Sequence, residues 1–192
     1  AQLYFYYSTM NAGKSTHLLQ SSYNYRERGL TTLLYTAKID DRFAHGKVTS
    51  RLGLSADAQL FDSDSDLYRD VSSRHKQQPL DCLLIDEAQF FTDLKQFILA
   101  IENSDIILYM SGLDGDSNRN PFGQILECIP LCDSVVKLRA LDMIDCDGHT
   151  KAPFTLRIKN NTDEQVHIGA KESYKAVSRI NYLSSIHYTN KV

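Results

Sequence analysis

The architecture of this chain turns on "YFYYSTMNAGKSTHLL", residues 4–19. Its first half is a run of aromatic β-formers, and from Lys14 onward the spacing is that of a helix. Between the two lies Asn-Ala-Gly-Lys-Ser-Thr. The pattern G-x-x-x-x-G-K-[S/T] holds phosphate for a physical reason. Glycine-permitted backbone turns successive N–H groups inward, the lysine reaches the β- and γ-phosphates, and the hydroxyl binds Mg²⁺. Here the octet is "STMNAGKS", Ser8 to Ser15. Gly13, Lys14 and Ser15 are in place, while Ser8 stands where the first glycine would be. That departure is tolerable, because Gly13 flanks the tight part of the nest and the first position mainly closes the loop. A preceding strand and a following helix supply the context such a loop needs.

A phosphate loop calls for an acid at the end of a neighbouring apolar strand, where it supports the metal. "LLIDEAQF", residues 83–90, supplies one. Asp86 is the magnesium-side acid, directly or through water, and Glu87 points toward a nucleophile. Such a Glu suits water activation in an ATPase or deprotonation of a substrate hydroxyl in a kinase. Spacing alone leaves that choice open. The guanine-reading N-K-x-D motif is absent, which argues against a GTPase switch. "DEAQ" is shared with helicases, but those need a second nucleotide-clasping domain that 192 residues cannot hold.

Outward from these motifs the elements alternate. The pattern predicts strands over 2–8 and 31–37, with a helix from Lys14 to about Arg28 between them, stopped by Gly29. Residues 39–60 read as a functional loop with a short strand. Residues 80–90 form a buried strand ending in two acids, and 92–101 a helix capped by Thr92 or Asp93. Further strands are expected over 105–113 and 134–141. Alternation of this kind gives an α/β fold, a P-loop-type parallel sheet flanked by helices. The character changes after Leu141. Two domains are expected, a nucleotide-binding domain over 1–141 and a small β-rich lobe over 142–192. The lobe carries strand candidates "FTLRI" and "QVHIG", a turn at "KNNTDEQ" and a final helical stretch "ESYKAVSRINYL".

Hydrophobic residues at 42% and charged ones at 23% are globular values. A net charge of −3 gives no bulk reason to expect nucleic-acid or anionic-membrane binding. No apolar run approaches the ~18 residues a membrane span needs, and no signal pattern opens the chain, so a soluble cytoplasmic enzyme is expected. The cysteines, Cys82, Cys128, Cys132 and Cys146, form no C-x-x-C pair and read as buried or incidental thiols.

Five stretches together resemble the thymidine kinases of the cellular, tetrameric type: "MNAGKST", "YTAKIDDR", "IDEAQFF", "SGLDG…NPFGQILECIPLCDSVVKL" and "HIGAKESYKAVSR". The resemblance covers nearly the whole chain. It implies transfer of the γ-phosphate of ATP to the 5′-hydroxyl of thymidine or deoxyuridine, with Mg²⁺, in nucleotide salvage for DNA synthesis. It implies a homotetramer, with no nucleic-acid or membrane partner. Ser8, Met10, Asn11, Ala12, Gly13, Lys14, Ser15 and Thr16 would form the ATP loop, with Gln89 nearby. Asp86 and Ser15 would hold magnesium, aided by Asp40, with Arg42 near the phosphates. Glu87 would be the catalytic base. Met10, Phe90 and Leu113 would line the nucleoside pocket, whereas without the resemblance they read as ordinary core. A lasso around Thr155 and Gln165 to Gly169, including His167, would cover the base, with Tyr174 packed beside it.

The departures concentrate in the lobe. The family ties it with zinc through two C-x-x-C pairs, but here those positions are Asp142, Asp145, Ser178 and Asn181. Four such residues cannot rebuild a soft tetrahedral site. A zinc-free lobe held by packing is expected, the alternative being a residual site of Asp142, Asp145, Cys146 and His149. Ser117 replaces an aromatic near the nucleoside, Ala170 replaces a lasso glycine, and the lasso is a few residues longer. A degenerate nucleotide-binding protein and a generic ATPase remain the alternatives to an active kinase.

Overall fold

The computed structural model describes residues 1–38, 46–62, 65–158 and 173–189. Its elements in order are β1 (Gln2–Ser8), α1 (Lys14–Glu27), β2 (Thr32–Ala37), β3 (Lys47–Thr49), β4 (Ser55–Asp57), β5 (Gln59–Phe61), α2 (Leu67–Gln77), β6 (Cys82–Ile85), α3 (Leu94–Ile101), β7 (Ile107–Leu113), α4 (Ile125–Cys128) and β8 (Ser134–Lys137). The lobe contributes β9 (Ala140–Leu141), β10 (Lys151–Ala152), β11 (Phe154–Arg157), β12 (Tyr174–Val177) and α5 (Arg179–Thr189). Six strands make one sheet in the order β5-β2-β6-β7-β1-β8, every neighbouring pair parallel.

The near-continuous apolar strands follow from helices on both faces. Leu83 and Ile85 of β6 join Leu3, Phe5, Leu108 and Met110 in the core under α3, where Leu94, Phe97, Ile98 and Ile101 pack. Cys82 and Leu84 face the other way, onto Leu18 and Leu19 of α1. Helix α1 ends as its sequence predicts. Gly29 takes φ 79°, its N–H bonds the Arg26 carbonyl, and the Leu30 N–H bonds the Tyr25 carbonyl. That is a Schellman stop, which a side chain at Gly29 would strain.

Several readings need correction. Helix α2 falls where no element was expected; Asp66 caps it by accepting from the Arg69 N–H at 2.8 Å, but only Leu67 and Val71 are buried, so its apolar stripe is faint. Asp93 precedes α3 without capping it, because its carboxylate accepts from the Leu67 N–H at 2.7 Å instead. The strand expected over 134–141 is two pieces: β8 closes the sheet edge, and β9 pairs antiparallel with β10. The helix expected from Glu172 begins only at Arg179, since Tyr174–Val177 are drawn into pairing with Phe154–Arg157. Residues 55–61 hold two strands, of which β5 joins the sheet edge beside β2. The "QVHIG" candidate lies outside the described residues.

Candidate functional site

The carboxyl ends of β1, β7 and β6 share one edge of the parallel sheet, where α/β folds place their ligands. The loop from Ser8 to Lys14 leaves β1 and enters α1, with Asn11 at φ 62° and Gly13 at φ 85°. Nothing lies within 4 Å of where a Gly13 Cβ would sit, so conformation rather than space selects glycine there. Gly13 precedes the first turn of α1, and its carbonyl accepts from the His17 N–H at 3.0 Å. The N–H groups of a helix's first turn have no partner within the helix, and the helix dipole favours an anion beside them. Lys14 is buried, and its ammonium donates to the Thr9 carbonyl at 2.6 Å, folding back across the loop.

Ser8 is buried, and its hydroxyl donates to the Leu138 carbonyl just past β8. The side chain that replaced glycine therefore cross-links the loop to the neighbouring strand. Thr9 makes a similar bond, donating to the Ala152 carbonyl of β10 at 3.1 Å.

Two strands away, β6 delivers Asp86. Its carboxylate accepts from Ser15 Oγ at 2.9 Å and from Ser111 Oγ of the intervening strand β7. Burial, then the charge of Glu87, pushes the Asp86 carboxyl up to about 6, and the Ser111 and Ser15 hydroxyls offset only part of that. A buried carboxylate under this strain gains from a cation. Ser15 and Asp86 offer hard oxygen donors of the kind Mg²⁺ takes, so the donor set fits that ion.

Glu87 adopts φ 52°, a left-handed conformation that costs a non-glycine residue about 1 kcal/mol or more. The turn it makes aims the chain out of the strand and into a single 3-10 turn, Ala88–Phe90. Gln89, buried there, donates to the Glu87 carboxylate at 2.6 Å and accepts from the Leu113 N–H at 3.0 Å. Gln89 thus fixes the acid to the end of β7. Its own backbone is held by close packing, because a Cβ on Gly123 would lie 2.1 Å from the Gln89 carbonyl oxygen.

The structure therefore brings Ser15, Asp86, Glu87, Gln89 and Leu113 into one array. Phe90 is half-buried beside it and packs edge-on to Phe122, with ring centroids 5.4 Å apart. Met10 is half-buried in the loop. Thr155 and Tyr174 belong to the separate hairpin β11–β12. The Thr155 hydroxyl is buried with no hydrogen-bond partner, and Tyr174 pairs with Arg157, whose guanidinium donates to its hydroxyl at 3.0 Å. Asp40, Arg42, Gln165, His167, Gly169 and Ala170 lie outside the described residues. Sequence reasoning missed Ser111, whose one signal was a hydroxyl inside an otherwise apolar strand, and Gly123, whose role depends on a fold contact.

A glycine-bearing loop running from a strand into a helix and a buried acid separated from it by one strand, on the carboxyl edge of a parallel sheet, define a P-loop protein of the α/β class. The chain belongs to the thymidine kinase family, whose family model matches residues 1–182. It is 46% identical over 189 residues to the thymidine kinase of Colwellia psychrerythraea, covering 95% of this chain and 96% of that one. The thymidine kinase of Pasteurella multocida is 44% identical over 193 residues, covering 97% of this chain and 98% of that one. That of Escherichia coli K12 is also 44% identical over 193 residues, covering 97% and 92%. Among the described residues no helix is long and apolar enough to cross a membrane.

Proposed function

We propose that this protein transfers the γ-phosphate of ATP to the 5′-hydroxyl of thymidine or deoxyuridine. The observation that carries the reading is the Glu87–Gln89–Leu113 linkage, a buried amide holding a carboxylate at the strand ends beside Ser15 and Asp86. A carboxylate fixed in this way can orient a hydroxyl nucleophile and accept its proton as the new bond forms. Lys14 and the N–H groups opening α1 bind the triphosphate, and Ser15 and Asp86 hold Mg²⁺. When bound, that ion neutralises charge on the phosphates. Met10, Phe90 and Leu113 form walls of the nucleoside pocket. Thr155, whose buried hydroxyl lacks a partner, and Tyr174 lie on its lobe side. The family resemblance carries with it a homotetramer, checked by sedimentation, and a cytoplasmic location.

The deciding assay is phosphorylation of radiolabelled thymidine by wild type and Glu87→Gln. Thymidine monophosphate is expected from wild type, with turnover cut at least ~100-fold in the variant, the scale of a lost general base. No product from wild type would overturn the kinase reading. ATP hydrolysis indifferent to thymidine would replace it with an ATPase.

A further inference from the structure

The zinc that the family resemblance implies does not fit the residues of this lobe. Asp142 is 5% exposed, and both its oxygens are taken. Oδ1 accepts from the N–H groups of Ile144 at 2.7 Å and Asp145 at 3.2 Å. Oδ2 accepts from the Ser178 N–H and from the Asn181 side-chain amide at 3.0 Å. Ser178 in turn caps α5, its hydroxyl accepting from the Asn181 N–H at 3.3 Å. Among the described residues no three His, Cys, Asp or Glu side chains converge as a metal site would need. Cys146 is exposed and its thiol faces the Met143 carbonyl, while the His149 ring engages Asp147.

The x-x spacing of the two ligand pairs survives, but side chains now close both turns. Asp142 closes the first by accepting from the two residues that follow Met143. Ser178 closes the second as a helix cap. The one carboxylate then spans the two turns, Oδ1 in the first and Oδ2 in the second, which is the connection a metal would otherwise make. Burial alone would raise the Asp142 carboxyl, but the hydrogen bonds from Ile144, Ser178 and Asn181 outweigh it and hold the group well below the usual carboxylate range. The residue next to the hub reaches the phosphate loop. The Met143 N–H bonds the Ala176 carbonyl at 3.0 Å, and the Asn11 amide donates to Met143 Sδ at 3.0 Å. Ala12 packs on the cluster of Ala140, Ala152 and Ala176.

We propose that the Asp142 carboxylate is the clip of this lobe, an all-protein hub in place of a metal, and that it positions the platform on which residues 9–12 of the phosphate loop rest. Asp142→Asn keeps the shape but turns an amide N–H₂ toward N–H donors, leaving two or more of them unpaired. A loss of this kind raises local opening at least ~tenfold.

The test avoids thymidine turnover, so its failure is separate from that of the kinase reading. Purified wild type is expected to carry far less than one equivalent of zinc by plasma mass spectrometry and to lose no thermal stability in chelator. Asp142→Asn is expected to lower hydrogen-exchange protection of the Ser178 and Asn181 amides ~tenfold or more and to weaken a non-hydrolysable ATP analogue several-fold. Asp145→Asn is expected to change neither. If Asp142→Asn does not fold, Asn181→Ala takes its place, with reduced protection at Ser178 expected. A chain carrying Asp142→Cys, Asp145→Cys, Ser178→Cys and Asn181→Cys is expected to regain protection only with zinc added. Stoichiometric zinc in wild type, stability lost to chelator, or unchanged protection or unchanged analogue affinity in Asp142→Asn would each overturn the proposal.

Discussion

Replacing Gly123 by alanine is expected to damage catalysis through a residue that touches no substrate. The added Cβ would lie 2.1 Å from the Gln89 carbonyl oxygen, 2.9 Å from its carbonyl carbon and 3.1 Å from its Cα. These are backbone atoms, so no side chain can swing away, and the two segments must separate by more than an ångström. Gly123 also sits at φ 57°, which costs alanine about 1 kcal/mol. Adding overpacking of ~1–3 kcal/mol, the variant is expected to lose about 2–4 kcal/mol of stability. The segment that must move carries Gln89, whose side-chain amide donates to Glu87 through Nε2 and accepts from the Leu113 N–H at Oε1. A displacement of this size is expected to lower kcat ~100-fold in the fraction that stays folded. Gly112→Ala is the comparison. Its Cβ would meet side-chain atoms only, Ile125 Cδ1 at 2.8 Å, Gln89 Oε1 at 3.0 Å and Ala88 Cβ at 3.4 Å, so it is expected to cost less stability while pressing on the same amide that holds Glu87. Chemical denaturation and steady-state kinetics on both variants decide the matter. A Gly123→Ala protein within ~0.5 kcal/mol of wild type and with kcat unchanged would refute the reasoning.

Three further expectations follow from single contacts. With the Asp86 carboxyl pushed up to about 6, lowering pH protonates the group proposed to hold Mg²⁺. Affinity for a magnesium-bound ATP analogue is therefore expected to fall roughly tenfold between pH 7 and pH 5, while Asp86→Asn shows a weak, flat profile by calorimetry. Ser8→Gly, which restores the usual loop glycine, is expected to destabilise the fold by about 1–3 kcal/mol, as is Ser8→Ala, because the Leu138 carbonyl loses its donor. Asp66→Ala removes the cap of α2 and is expected to cost about 1 kcal/mol by denaturant titration, with kcat unchanged.

What the sequence revealed and what it hid have separate physical causes. Strand β6 was legible because burial on both faces makes it apolar throughout, β1 and β7 because aromatic and aliphatic β-formers dominate them, and α1 because Gly13 and Gly29 punctuate it. Asp86 and Glu87 could be located because a strand end fixes where they must point. Helix α2 was not legible, since two buried residues in eleven leave almost no periodic signal; its Asp66 cap and its closing Arg74, His75 and Lys76 were the signals available. Tyr174–Val177 misled because their local pattern suits the helix that follows, and only pairing with Phe154–Arg157, distant in sequence, makes them a strand. The same separation hid the Asp142 hub, whose partners lie 36 and 39 residues away.

The missing first glycine of the loop finds its explanation in that long-range structure. A phosphate loop must hold its N–H groups inward, and either glycine-permitted backbone or tertiary bonds can do so. Here Gly13 alone makes the tight turn at the helix entry. The first half is held from outside: Ser8 to the Leu138 carbonyl, Thr9 to the Ala152 carbonyl, and Asn11, itself at φ 62°, to Met143. Two of those anchors, Met143 and Ala152, belong to the lobe, so its integrity and the shape of the phosphate loop are one problem. A lobe fastened by a carboxylate hub meets that demand only while Asp142 keeps all its donors. A perturbation of the hub should therefore reach ATP binding before it reaches the sheet, whose core from Leu3 to Met110 lies on strands the hub does not touch.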